Sequence, residues 1–264
     1  MGAIVTLTTD FGLRDSFVGT MKGVILSRCP DAQLVDITHD VPPQQVRAGA
    51  LRLAAAAPYF PAGTVHLAVV DPGVGGARRA IALEADGYRF VGPDNGVLSF
   101  AAPRFAPGWY AVEIANRQHM LERVSQTFHG RDVFAPAAAH LAGGGTLDDL
   151  GPEIPSIVEL HLYPATREGQ RLIGIVLDVD GFGNLITNVR AGQVANAELE
   201  RVCVGGAEIG ELSRWYDSTR ELVALMNSDG WLEVAAPGGS ASERLGVGID
   251  APVDVWLRST RSIG

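Results

Sequence analysis

Carboxylates cluster beside glycines at three places in the first half of the chain. These are Asp10-Phe11-Gly12 followed by Asp15, Asp71-Pro72-Gly73-Val74-Gly75-Gly76 followed by Arg78, and Pro93-Asp94-Asn95-Gly96. A fourth cluster, Thr127-Phe128-His129-Gly130-Arg131-Asp132, directly precedes an apolar segment. Asp10, Asp71, Asp94, His129 and Asp132 supply oxygen and nitrogen donors of the kind that hold a metal ion. No His-x-His or His-Glu-x-x-His pair accompanies them, so the metal signal is weak. In the second half, Asp180 to Asn188 places Phe182, Asn184 and Asn188 in and after a Gly-rich turn. An aromatic ring and two amides there could stack on a planar base and hydrogen-bond its edge. Asn227-Ser228-Asp229-Gly230-Trp231 is a second turn of the same kind.

Each cluster also has a purely structural reading. Asp10 could close a turn, Asp94-Asn95-Gly96 could be a tight turn, Asp132 could cap a helix, and the Phe182 segment could be a hairpin with a half-buried ring. His39, His66, His119, His140 and His161 read as ordinary surface or satisfied histidines. His129 differs because it lies in a loop just before an apolar helix, and loops on a rigid scaffold carry function.

The elements that would position these residues alternate in type. Ala3–Thr8, Gln33–Thr38 and Thr64–Val70 are short apolar runs rich in β-branched residues and read as buried strands. Between them, Ser16–Cys29 puts Phe17, Met21, Val24 and Ile25 on one helical face and stops at Pro30. Gln44–Ala57 is an alanine-rich helix able to pack closely on a sheet. Strands at Ala80–Glu84, Tyr88–Val91 and Trp109–Ile114 and a helix at Val133–Ala142 follow. Such alternation implies βαβ units and a mainly parallel sheet, whose ligands bind beyond the carboxyl ends of the strands, where the first three clusters fall. Gly151–Gln170, with three prolines and little periodicity, reads as a linker. Beyond it come short β-like runs at Leu172–Val179, Leu185–Val189, Arg201–Val204, Glu221–Leu225, Trp231–Ala235 and Val253–Leu257, separated by Gly, Asn and Asp turns. The expected architecture is an α/β N-terminal domain over residues 1–160 and a smaller all-β barrel domain over residues 161–264. The polar end Arg258–Gly264 is expected to fray.

Composition narrows the function. With 264 residues, 47% of them hydrophobic and 19% charged, the chain is neither disordered nor membrane-spanning. Its most apolar helical run, Ala48–Ala57, is broken by Arg52 and ends at Pro58. The net charge of -9 would repel phosphate backbones, so no nucleic-acid partner is expected. Neither a basic leader region nor a cleavage signature opens the sequence, and the expected location is cytoplasmic. Cys29 and Cys203 read as reduced core residues, not a disulfide or zinc pair. Gly73-Val74-Gly75-Gly76 lacks the Gly-x-Gly-x-x-Gly spacing, and neither a P-loop nor a Gly-x-Ser-x-Gly elbow is present. Nicotinamide enzymes, P-loop nucleotidases and the usual esterases are therefore disfavoured.

Taken together and in order, the motifs resemble the S-adenosylmethionine (SAM) hydroxide adenosyltransferase family, which is similar to the fluorinases and chlorinases. The resemblance rests on Thr9-Asp10-Phe11-Gly12 with Asp15 and Lys22-Gly23, Val70 to Gly75 with Arg78, Pro93 to Gly96, Thr127 to Asp132, and Asp180 to Asn188, and covers nearly the whole chain. It implies an α/β domain followed by a small β-barrel, and a homotrimer with the ligand between one subunit's N-terminal domain and its neighbour's C-terminal domain. It also implies a reaction without cofactor, in which water displaces L-methionine from ribose C5′ and leaves adenosine. By the same resemblance, Asp71, Arg78 and His129 hold the attacking water and Asp10 takes the ribose hydroxyls. Phe182 and Asn184 match positions that contact adenine, and Asp15 matches one near the methionine ammonium. Asn95, Ser228 and Trp231 complete the expected substrate-binding set.

The chain departs from the halogenating relatives. Asp71 and Gly130 stand where the fluorinase has an aromatic and a hydroxyl residue near the halide. Gln44 and Asp229 stand where it has a Trp and an Arg near the substrate, and its insertion before the Pro-x-Asn-Gly motif is absent. A carboxylate beside the pocket repels a desolvated halide, which favours water as nucleophile. Three alternatives stand beside the hydrolase: a metal-dependent hydrolase, a non-catalytic adenosine- or SAM-binding module, and a SAM-dependent halogenase.

Overall fold

Strands buried on both faces and helices with one apolar stripe build the first half of the protein. The computed structural model describes residues 2–101, 108–195 and 198–258. The chain divides into two units, Met1–Leu160 and His161–Gly264.

In the first unit, six strands form one sheet in the order β2-β1-β3-β5-β4-β6. They are β1 (Ile4–Thr9), β2 (Gln33–Thr38), β3 (Val65–Val69), β4 (Ala80–Ala85), β5 (Tyr88–Pro93) and β6 (Tyr110–Glu113). The pairs β1–β2, β1–β3 and β3–β5 are parallel, whereas β4 runs antiparallel to both β5 and β6. Alternating residues of β3 face opposite cores, Val65, Leu67 and Val69 one way and Ala68 the other. Helices α1 (Phe17–Arg28) and α3 (Ala135–Ala142) cover the first face, and α2 (Val46–Ala56) covers the second. The crossovers from β1 to β2 and from β2 to β3 thus use opposite faces and open a crevice between the carboxyl ends of β1 and β3.

Small residues let α2 approach closely, as its alanine content predicts. A Cβ on Gly49 would lie 2.8 Å from Val70 Cγ2, so only glycine permits this spacing. The face of α1 differs from its sequence reading. Val18, Met21 and Ile25 are buried, while Phe17 is largely exposed and packs against Phe11 and Phe128. The helix expected at Val133 starts earlier, through a π-type turn at Gly130–Phe134. Such turns are frequent at functional sites. Cys29 and Cys203 are free and only partly buried, not core residues.

The second unit is a single antiparallel sheet in the order β11-β10-β14-β8-β9-β13-β12, with β7 also paired to β8. Its strands are β7 (Thr166–Glu168), β8 (Arg171–Val179), β9 (Leu185–Arg190), β10 (Glu198–Val204), β11 (Ala207–Gly210), β12 (Val223–Met226), β13 (Trp231–Ala235) and β14 (Pro252–Arg258). A bridge from Leu212 to Ala224 brings the two edges together, so the sheet is a nearly closed barrel around Leu172, Val176, Val202, Leu232 and Val255. The helices α4 (Ala191–Val194) and α5 (Ala241–Leu245), too short to show a periodicity, interrupt it.

The proline-rich stretch Gly151–Gln170 is less of a linker than its composition suggests. Its first part packs on the α/β unit, where Glu153 bridges to Val112 and Ile154 is buried, and its last part supplies β7. Of the polar end Arg258–Gly264, Arg258 closes β14 and residues 259–264 lie outside the described residues. Among the described residues no helix is long and apolar enough to cross a membrane.

Candidate active site

Three of the polar clusters follow three neighbouring parallel strands. Thr9 pairs with Val69 across β1 and β3, which sets Asp10 and Asp71 just beyond adjacent strand ends. Asn95 follows β5 and donates from Nδ2 to the Val70 carbonyl at 2.8 Å, while its Oδ1 accepts from the Val97 N–H. Both ends of this amide are thus engaged by backbone, and Asn95 ties the β3 end to the β5 loop. Asp94 is also structural. Arg79 holds one carboxylate oxygen and the Val158 N–H donates to the other at 2.7 Å.

At the centre is a three-residue row. Arg78 grips Asp71 through Nε and a terminal nitrogen, and donates to His129 Nδ1 at 2.8 Å. The side chains of Arg78 and Asp71 are 11% and 3% exposed, and the guanidinium lies 5.2 Å from the Phe134 ring centre. A guanidinium only donates, so Nδ1 must accept and a neutral His129 carries its proton on Nε2. Burial and then the adjacent Arg78 charge push the His129 pKa below its ordinary value, outweighing Asp71 and Asp132. Asp132, read from the sequence as a possible helix cap, lies inside the first turn instead. It accepts from the Ser125 N–H at 2.8 Å and from Arg131, which fixes the loop carrying His129.

The Asp10 loop joins this group through aromatic packing, with the Phe11 and Phe128 rings 5.9 Å apart and edge-on. Asp10 is half-buried, and its Oδ2 accepts from the Gln44 N–H at 2.8 Å. Gln44 has φ 65, a strained value for a non-glycine residue and a frequent mark of a ligand site. Asp15 is exposed, beside an open groove of ≈ 520 Å³ that Leu13, Ser16 and Lys22 also line. The first unit therefore brings together Asp10, Asp71, Arg78 and His129. Among the described residues no three His, Cys, Asp or Glu side chains converge as a metal set.

In the barrel unit the Asp180 turn is tightly specified. Asp180 Oδ1 accepts from the Phe182 and Asn184 backbone N–H groups, and Oδ2 accepts from Asn184 Nδ2 at 2.9 Å. Gly183 has φ 80, and a Cβ there would meet Ser240 Oγ at 2.1 Å. Phe182 is 80% exposed, an unusual position for an aromatic on so ordered a turn. Asn227 Oδ1 caps the second turn by accepting from the Asp229 and Trp231 N–H groups at 3.0 Å each. Ser228 is exposed at its tip. Trp231 is only 7% exposed, and the Arg190 guanidinium covers its ring.

Sequence reasoning passed over two features of these sites. Glu233 is buried in the barrel, where it accepts from the Tyr216 hydroxyl at 2.8 Å and burial raises its pKa. His39, read as ordinary, is buried beside the Asp10 loop and bonded to Thr9. Its Thr9 partner lies 30 residues away in the chain, so no local pattern could reveal that bond.

The family model described as the SAM hydroxide adenosyltransferase N-terminal domain matches residues 5–151, and that of the corresponding C-terminal domain matches residues 174–254. A Salinispora tropica protein named (R)-S-adenosyl-L-methionine hydrolase is 44% identical over 246 residues, which cover 92% of this chain and 94% of that protein. A protein named fluorinase, from an Actinoplanes species, is 29% identical over 76% of this chain and 75% of its own. The crystal structure of a conserved Thermotoga maritima protein superposes with a TM-score of 0.87 at 36% identity, over 96% of this chain and 99% of that one. The fold, the ordered motifs and both domain matches agree, and the chain belongs to the SAM hydroxide adenosyltransferase family.

Proposed function

We propose that the protein is an S-adenosyl-L-methionine hydrolase that forms adenosine, water displacing L-methionine from ribose C5′. The observation that carries this reading is the Asp71–Arg78–His129 row at the end of β3, beside Asp10 at the end of β1. The hydrolase relative supports the same substrate.

A sulfonium is a good leaving group, so the site need neither protonate the thioether nor bind a metal to expel it. Its work is to hold one water in line with the C5′–S bond, and alignment of this kind is worth roughly 7–11 kcal/mol. His129 presents an Nε2–H donor, because Nδ1 is committed to Arg78. Asp71 accepts from Arg78 yet keeps lone pairs in reserve, and it is the group that takes the water proton as the C–O bond forms. Asp10 accepts both ribose hydroxyls, Asp15 faces the methionine ammonium, and Asn95 holds the strand end that carries Asp71. Phe182 stacks on the adenine and Asn184 meets its edge, with Ser228 and Trp231 in the neighbouring turn.

The same proposal makes the protein a homotrimer in the cytoplasm, each site shared between one subunit's α/β domain, residues 1–160, and its neighbour's barrel, residues 161–264. The exposed ring of Phe182 supports a role in which something else covers it. The nearly enclosed Asp71 carboxylate opposes a halide nucleophile.

The test is mass spectrometry of the products formed from S-adenosylmethionine in ¹⁸O-water, with excess chelator and no halide. Adenosine labelled at its 5′-oxygen, together with free methionine, is the expected result. No product would overturn the reading, and adding divalent cations would then separate a metal hydrolase from a binding module.

A further inference from the structure

We infer that Lys22, Asp36 and His39 act as positioning residues for nucleoside binding, holding the Asp10 loop through Thr9. The inference rests on the reading of Asp10 as the ribose ligand.

A chain of close polar contacts links the surface of α1 to that loop. Lys22 Nζ donates to Asp36 Oδ2 at 2.6 Å, and His39 Nε2 lies 3.0 Å from Asp36 Oδ1. His39 Nδ1 lies 2.8 Å from Thr9 Oγ1, which accepts from the Phe11 N–H at 3.3 Å. Burial raises the Asp36 pKa, but Lys22 and His39 together hold it below its ordinary value, so the carboxylate is ionised and can only accept. Nε2 of His39 faces the Asp36 carboxylate in an ion-pair contact, and with the ring proton on that side Nδ1 accepts from the Thr9 hydroxyl, whose oxygen accepts from Phe11.

The fold is arranged for this contact. The register of β1 against β2 slips between Leu7 and Thr8, opposite Asp36 and Thr38, and a bulge of that kind re-aims side chains. His39 is 4% exposed, and its carbonyl also accepts from the Gly12 N–H at 2.8 Å. Thr9 and Gly12 flank Asp10 and Phe11, so the relay grips both sides of the Asp10 loop without touching Asp71, Arg78 or His129. The Lys22-Gly23 motif, which has no place in the chemistry of the site, gains one here.

The decisive comparison is His39→Asn against His39→Gln, read by adenosine titration calorimetry and by KM and kcat for S-adenosylmethionine. Asparagine places an acceptor where Nδ1 was and keeps the Thr9 bond, whereas glutamine reaches Asp36 and loses Thr9. His39→Gln is expected to raise the adenosine Kd and KM about tenfold, the loss of roughly one buried hydrogen bond, with kcat within about twofold. His39→Asn is expected to stay within about threefold of the parent, although it leaves the larger void. Thr9→Val should repeat the glutamine result, and the surface change Lys22→Met should raise Kd about threefold even if the His39 variants do not fold. Equal effects of asparagine and glutamine, or kcat falling while KM holds, would overturn the relay. Asp10→Ala is the control for the reading beneath it. If that variant binds adenosine as the parent does, the ribose assignment falls and takes the relay with it; if it binds weakly, the His39 comparison judges the relay alone.

Discussion

Arg78 donates to His129 Nδ1 at 2.8 Å with the same guanidinium that grips Asp71. One cation thereby fixes both the orientation of the carboxylate and the tautomer of the imidazole. Protonating His129 would put a hydrogen on Nδ1 facing the guanidinium, so the arrangement survives only while the ring is neutral.

The pH dependence follows from that restriction. Burial, then Arg78, lowers the His129 pKa, so the active neutral ring persists to more acidic pH than an ordinary histidine would allow. Activity should be flat above pH 6.5 and fall on an acid limb whose midpoint lies below the ordinary histidine value of about 6.5. The stability contribution has the same sign. A depressed histidine pKa means the unfolded chain binds the proton more readily, so this contribution is full above about 6.5 and is lost as pH falls through the folded value. A kcat profile with its acid limb centred above 7 would count against the neutral Nε2–H form.

Removing members of the row should separate chemistry from binding. His129→Ala and Arg78→Ala are expected to lower kcat by a factor of about 10² or more, as loss of positioned donors does, while adenosine still binds. Single-turnover assays beside calorimetry read the two quantities independently. Loss of adenosine affinity in proportion to rate would place these residues in nucleoside binding instead.

Packing beneath the site gives a stability prediction. A methyl group on Gly49 would sit 2.8 Å from Val70 Cγ2, one residue before Asp71. Gly49→Ala gains helix propensity but overpacks the α2–sheet interface, which costs about 1–3 kcal/mol. The expected net result is a lower Tm together with reduced kcat, because Val70 leads directly into the catalytic strand end. An unchanged or raised Tm would show that α2 can move outward without strain.

What could be read from the sequence divides along physical lines. The strands β1 and β3 were legible because burial on both faces leaves continuous apolar runs, and the Asp10 and Asp71 clusters were legible because each follows such a run. Gln33–Thr38 and Trp231–Ala235 match their runs end to end. The strands β7 and β11 were not legible, since three or four residues carry too little alternation to stand out. The relay through His39 and the Arg79–Asp94 clasp were hidden for a different reason. Thr9 meets His39, and Arg79 meets Asp94, through sheet order, and a lone histidine or an Asp-Asn-Gly turn looks the same locally whether or not a distant side chain meets it.

The barrel turn supports a prediction about base selectivity. Asp180 Oδ2 only accepts, so it forces Asn184 Nδ2 inward and leaves Oδ1 as the outward group of the amide. An outward acceptor suits an exocyclic amine and opposes a carbonyl, so adenosine should bind better than inosine, which differs at that position. Asp180→Asn keeps the acceptor for the Phe182 and Asn184 backbone N–H groups but can turn an amide nitrogen toward Asn184, which then flips and presents its own nitrogen outward. The expected consequence is a fall of about tenfold or more in the ratio of adenosine to inosine affinity, the scale set by one mismatched buried hydrogen bond. Parallel calorimetric titrations of parent and variant with the two nucleosides measure that ratio directly. A ratio unchanged by the substitution, in a variant whose Tm matches the parent, would mean that Asn184 does not read the base edge.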